Sequence, residues 1–486
     1  RTAIITPSFP AAMAVLKAVR GRLLHAVSNP FHVRNDGGIP KECVEELEDG
    51  VLIVDQDTGK TVAFGEASEV LAREEYKDVS VDEYCSTQYL IIPGLIDCHV
   101  HFPQVDVIGA YGEQLLQWLQ KYTFPAEAKY GDKPFVHARA QIFLQELLRH
   151  GTTTALTFCS RHKESVDGLM EEAEKLGMRL IAGRVMMDRE EFAPDILRDG
   201  SAEESYEESK ELLNRWHGKG RLAYAITPRF AITSTEKQLE LAGKLAEEYP
   251  TAYVHTHLSE NKTEIELVGK LFPDCPSYTD VYEKYNLLRR RSIVAHCIHL
   301  SEHEYSILEK RGSSIAFCPT SNTFLGSGLF SVKKCAEKMQ NGNKEDGVYL
   351  GLATDVGGGT HFSLIHTMLE AYKVAQLGDG TPLSPIHAFY LATKGAAESL
   401  DIADCVGSFG VGMEGDFAVV DLHSNSLKKH RTSIADADIA QQIFLMMTLS
   451  GTGDIAATYV GGKRVFFNHQ FDESLFSPPS PPPSRE

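Results

Sequence analysis

Two histidines one residue apart, His99 and His101, close the apolar run that ends in Pro93-Gly94-Leu95-Ile96-Asp97-Cys98-His99-Val100-His101-Phe102-Pro103-Gln104. In an extended strand alternate side chains share a face, so Asp97, His99 and His101 point the same way. Two imidazoles converging in this manner are a ready pair of metal ligands. They are equally a pair of satisfied polar residues at a strand end, and the rest of the chain has to decide between the two readings. Further polar groups follow at wide spacing: Thr227-Pro228-Arg229-Phe230, His255-Thr256-His257-Leu258-Ser259-Glu260, His296 in Val294-Ala295-His296-Cys297, Cys318-Pro319-Thr320-Ser321-Asn322, and Asp355 ahead of Gly357-Gly358-Gly359.

Each of these groups ends a stretch with strand character. The pattern gives strands over 90–98, 152–158, 179–187, 222–229, 252–258, 292–298, 314–318 and 348–354. Amphipathic, helix-length segments lie between them over 136–149, 163–176, 203–216, 235–248, 261–271 and 301–311, and one follows over 363–376. Strand–helix units in a row predict an α/β fold, a (β/α)8 barrel of the TIM type, whose chemistry sits at the C-terminal ends of its strands. All the polar groups named above fall on that rim. Their coincidence there favours a metal centre.

The flanks read differently. Residues 1–88 carry short apolar runs with turn signals at Asn35-Asp36-Gly37-Gly38 and Asp57-Thr58-Gly59, and β character returns after a helix over 384–400, in 416–422 and 457–460. The two flanks are expected to form one small β-sandwich domain, because chain ends often lie close together. The division is then 1–88 and 403–470 for that domain, 89–402 for the barrel, and 471–486 for a Pro/Ser-rich extended tail. No motif is assigned to the 31–50 loop or to that tail.

A formal charge of −19, from 48 basic and 67 acidic residues, argues against nucleic acid or an anionic membrane as a partner. No apolar run reaches the roughly 18 residues of a membrane span. Nine scattered cysteines without a CxxC pattern suit reduced thiols, and the cytoplasm is the default location. The first 35 residues are basic and free of acid, faintly like a transit peptide, but their apolar runs read better as strands of a folded domain.

The segments PGLIDCHVHFPQ (93–104), QWLQKYTFPAE (117–127), TPRF (227–230), THLSEN (256–261), VAHC (294–297), FCPTSN (317–322) and ATDVGGG (353–359) together resemble the guanine deaminases of the amidohydrolase superfamily, over about 90–465. That resemblance implies one Zn2+ on His99, His101, His257 and Asp355. Strand four has no lysine of the kind binuclear relatives carry, so a single ion is expected; Fe2+ suits the same nitrogen and oxygen donors. Such an ion lowers the pKa of water from about 15.7 to about 7. In this reading Glu260 carries protons to the ring and the leaving amine, Asp355 is ligand and base, and His296 polarises the attacking oxygen. Arg229 reads the adjacent O6 and N7 acceptors of guanine, with Gln104 on the base edge and Phe230 beside it, while His101, His257, Glu260 and Asp355 also face the base. The product is xanthine, the protein a homodimer.

Two readings stay open beside this one. Glu260 could be an acid in the first turn of the next helix, favoured by its dipole. Arg229 could be a structural ion pair. His255, an extra histidine on strand five, is expected one layer deeper as a core or supporting residue, and Asp97 is expected to orient an imidazole. The rival functions are a deaminase or hydrolase of another heterocycle and a non-enzymatic scaffold, which would have lost its ligands.

Overall fold

The computed structural model describes residues 15–33, 38–112, 114–339, 347–378, 383–434 and 438–468. The Pro/Ser-rich tail and part of the 31–50 loop therefore lie outside the described residues. Eight parallel strands form the barrel: β1 Leu95–His101, β2 Thr152–Phe158, β3 Arg179–Gly183, β4 Leu222–Pro228, β5 Tyr253–Leu258, β6 Ser292–His296, β7 Ser314–Phe317 and β8 Tyr349–Leu352. They pair in chain order, each with the next. Helices follow most of them; Lys133–Arg149, for instance, starts at Asp132, whose carboxylate accepts the Phe135 N–H, with Pro134 in its first turn.

The apolar pattern of the strands follows from burial on both faces. Ile96, Leu156, Ile181, Ala225, Ile293 and Ala316 fill the barrel interior. Phe143, Leu147 and Leu169 belong to the larger core between strands and helices. Backbone bonds join the two ends of the barrel: the Asp355 N–H donates to His99 O at 2.9 Å and the His101 N–H to Val356 O at 3.0 Å.

The first expected strand is in fact two. Tyr89–Pro93 belongs to the small sheet, and only β1 enters the barrel. They part at Gly94, where an added Cβ would lie 2.0 Å from Thr153 Oγ1, and whose N–H bonds Asp416 O at 3.0 Å. The third strand stops at Gly183, and Val185–Met186 resumes pairing with β4. The expected helix over 384–400 breaks at Thr393 into Pro385–Ala392 and Lys394–Ser399.

Both flanks build the second unit, a mixed sheet of eight strands. Tyr89–Pro93 pairs antiparallel with Phe417–Asp421, placing Pro93 opposite Phe417, and this ladder joins the N-terminal strands to the C-terminal ones. Two apolar clusters, around Val19, Leu52 and Phe417 and around Ile53 and Ala63, belong to this sheet. No helix among the described residues is long and apolar enough to cross a membrane. None of the nine cysteines is in a disulfide.

Charge ties the two units at the floor of the barrel. Glu414 accepts from Arg179 Nη2 and from Arg221 Nη2, both at 2.5 Å, and Arg221 also bonds Asp416. Replacing Glu414 by alanine leaves two largely buried guanidiniums short of a counter-charge, a loss on the order of 3 kcal/mol. Urea denaturation should show it as a lower midpoint; a change within about 0.5 kcal/mol, as for an ordinary surface site, would deny the strap a structural role.

Candidate active site

At the C-terminal mouth of the barrel three imidazoles and a carboxylate meet. His99 Nε2 and His101 Nε2 are 3.2 Å apart, as are His101 Nε2 and His257 Nε2. Asp355 Oδ1 lies 3.1 Å from the first and 3.3 Å from the second. Donors bound tetrahedrally at 2.0–2.1 Å from one ion stand about 3.3 Å apart. The donor spacing thus fits a single divalent ion held by residues from β1, β5 and the turn after β8. His99, His296, Cys318 and Asp355 form an overlapping group, but the Cys318 thiol leans on Ala316 O at 3.4 Å and burial raises its pKa well above the ordinary value.

The donors are held in a ligating state. Burial pushes His101 down to about 3 and lowers His99 and His257, so their rings are neutral at pH 7. The Asp355 carboxyl, in contact with His99 and His101, stays well below its ordinary range despite its burial. His257 Nδ1 donates to Arg229 O at 2.7 Å, which leaves its Nε2 lone pair facing the cluster. His99 Nδ1 is 2.7 Å from His255 Nε2, which does the same for His99. The extra histidine on β5 is therefore a supporting residue, deeper in the barrel as expected.

Asp97 acts differently from the expectation. Its carboxylate accepts the backbone N–H groups of His99 at 3.2 Å and Thr354 at 3.1 Å, and the Thr354 hydroxyl as well. It therefore fixes main chain on both sides of the barrel closure and touches no imidazole of the cluster. Burial raises it to about 7.

Glu260 lies before Asn261, the cap of the helix Lys262–Leu271, so it is not a first-turn acid. Its backbone N–H is held by Glu264 at 2.9 Å, and its Oε1 accepts from Ser327 Oγ at 3.1 Å. Its Oε2 is 3.5 Å from His296 Nε2, which is itself 3.8 Å from Asp355 Oδ2. Asn322 Oδ1 holds the other His296 nitrogen at 2.8 Å. Burial, and next the Asp355 charge, lift Glu260 to about 8. His296 and Asp355 both adopt φ near the left-handed region, 71° and 50°. For residues with a β-carbon this is a strained backbone of the kind concentrated at functional sites.

Glu260, His296 and Asp355 line one pocket with His101, His257, Gln104, Arg229 and Phe230, so every sequence-derived site residue except the deeper His99 faces it. Arg229 is both pocket wall and ion pair. Its Nη1 sits 2.9 and 2.7 Å from the two oxygens of Glu127. Leu115, Trp118 and Leu119, on the segment leading to Glu127, and Leu325 complete the walls. The sequence reading gave no role to Glu127, Asn322, Ser327 or Trp118. A lone acid and a tryptophan inside QWLQKYTFPAE were the available signals for two of them.

A family model for the amidohydrolase family matches residues 90–465. The chain belongs to the amidohydrolase family. Over 455 residues it is 46% identical to the guanine deaminase of Escherichia coli (strain K12), covering 93% of this chain and 98% of that one. The solved structure of E. coli guanine deaminase matches with a TM-score of 0.85 at 45% identity, covering 93% and 99% of the two chains. The guanine deaminase of C. acetobutylicum, solved with guanine bound in its active site, matches with a TM-score of 0.79 at 27% identity over 93% and 100%. The β/α barrel with a separate sheet from the chain ends is thus an amidohydrolase fold.

Two outcomes follow for this site. Replacing His255 by leucine removes the acceptor that orients His99 and should weaken metal affinity about 10–100-fold in a chelator competition, with the fold intact; unchanged affinity would make His255 mere filling. For Glu260, the folded metal-free protein keeps a proton up to about pH 8 that the unfolded chain releases near 4.5. Stability conferred by the folded state therefore falls as pH rises through that window. Glu260→Gln should raise the melting temperature of metal-free protein at pH 8 and lose that gain by pH 5. A gain independent of pH would contradict the assigned burial of the acid.

Proposed function

We infer that this chain is a guanine deaminase: water replaces the C2 amine of guanine, ammonia leaves, and xanthine is the product. The observation that carries the reading is the match, over nine-tenths of both chains, to guanine deaminases, one of them solved with guanine bound. The pocket supports it by joining a four-donor metal cluster to a buried arginine and a glutamine.

His99, His101, His257 and Asp355 would hold the metal, Zn2+ in the first instance, with Fe2+ suited to the same donors. When bound, the ion supplies the Lewis acidity that makes water nucleophilic at neutral pH. Everything else is done by side chains. Asp355 takes a proton from the attacking water through the oxygen directed at the pocket. Glu260, protonated near neutral pH, delivers its proton to the purine ring and then relays one to the departing amine. His296, oriented by Asn322, faces the attacking oxygen and polarises it.

Arg229 and Gln104 offer donors to O6 and N7, Phe230 stands beside them, and adenine and cytosine lack that acceptor pair. The reading also includes a cytoplasmic location and a homodimer, by family analogy.

In purified protein, metal analysis should give about one zinc or iron per chain, and guanine should release ammonia while adenine and cytosine should not. Glu260→Gln should keep the metal and lose about 10²–10⁴ in kcat. Arg229→Leu should keep the metal and abolish guanine turnover. Unchanged guanine turnover in Arg229→Leu would remove guanine as the substrate, and absence of bound metal would favour a scaffold.

A further inference from the structure

The reading above gives no role to the acid paired with Arg229. Glu127 is fully buried and ends the short helix Phe124–Glu127. Its backbone carbonyl accepts from Ser160 Oγ at 2.8 Å, which fixes the helix end against the loop after β2. Its carboxylate reaches two residues brought together from distant parts of the barrel. Both oxygens meet Arg229 Nη1, and Oε1 also accepts from Gln104 Nε2 at 3.4 Å. Gln104 Oε1 in turn accepts the Gly357 N–H at 3.2 Å. Phe124, three residues before Glu127, lies under the Arg229 guanidinium at 5.2 Å.

We propose that Glu127 is a positioning residue for base recognition: its carboxylate holds Arg229 and Gln104 together in the orientation that reads the O6–N7 edge of guanine. The proposal rests on the deaminase reading and adds to it the residue that sets selectivity. Three physical facts argue for it.

A carboxylate only accepts, so Gln104 must turn its NH2 toward Glu127 and its oxygen toward Gly357, which removes the twofold ambiguity of the amide. A guanidinium held at one nitrogen by an acid and at its face by a ring has little freedom to swing. A buried arginine beside a cluster built for a divalent cation needs a counter-charge at hand, and Glu127 supplies it in contact. An ion pair serving the fold alone would need no bond to Gln104.

The test compares full-length zinc-loaded protein with Glu127→Gln, Arg229→Gln and the double variant. Substrates are guanine and 2-aminopurine, which carries the same C2 amine and lacks O6. Zinc content and melting temperature are recorded for each protein, and xanthine binding is measured by calorimetry. Glu127→Gln should raise KM for guanine and weaken xanthine binding about 10–100-fold, with a much smaller change in kcat. The preference for guanine over 2-aminopurine should fall by a similar factor.

A structural role alone would lower the melting temperature and leave that preference intact. The double variant buries a neutral pair, which guards against misfolding of the single one. Because Glu127 acts through Arg229 and Gln104, the loss of preference in the double should fall well short of the product of the two single losses. An unchanged preference in Glu127→Gln, or single losses that multiply in full in the double, would overturn the proposal. Wild-type protein that leaves guanine untouched would sink the deaminase reading itself.

Discussion

The closure of the barrel between its first and last strands is the constraint on which the site depends. The Asp355 N–H bonds His99 O, the His101 N–H bonds Val356 O, and the Asp97 carboxylate clamps Thr354 to the backbone of His99. Three of the four candidate metal donors are thus carried by the two chain segments this seam joins. If β1 slipped by one residue against the turn after β8, the imidazoles would face the wall and not the mouth. The metal cluster is in this sense a consequence of closure. The fourth donor, His257, comes from β5 across the mouth and is aimed by Arg229 O.

Around that seam the protein accepts local cost for aim. Left-handed φ at Ser259, His296 and Asp355 bends the chain just where strands become loops. A buried acid at position 260 and buried neutral imidazoles trade stability for protonation states that water would not maintain. The apolar layer below, with Ile96, Leu156 and Ile293, supplies the rigidity against which this strain is held. The small sheet contributes from outside. Its ladder from Pro93 to Phe417 and its Glu414 strap fix the base of the same strands whose tips carry the chemistry.

Much of this was readable from residue order, for definite reasons. Strand and helix periods are local, so the eight barrel strands fell close to their expected places, and the polar residues ending six of them pointed to the working rim. What failed to show was whatever depended on partners far away in sequence. The run 90–98 reads as one strand because apolar alternation does not record which sheet a strand joins; only the closeness of Thr153 to Gly94 divides it. Glu127 has no role in the sequence pattern until Arg229, 102 residues later, arrives beside it. Asp97 shares a face with the histidines, yet it serves the main chain, since Thr354 presents both an N–H and a hydroxyl to it. His255 could be placed one layer down by alternation, but its bond to His99 spans 156 positions.

The most direct test of the account is X-ray absorption spectroscopy at the metal edge of the purified protein. One ion shared by His99, His101, His257 and Asp355 predicts a first shell of nitrogen and oxygen at about 2.0–2.2 Å, with imidazole scattering beyond it. A sulfur shell at about 2.3 Å, which would bring Cys318 into the coordination, or a second ion at about 3.5–4 Å, would contradict the shared site.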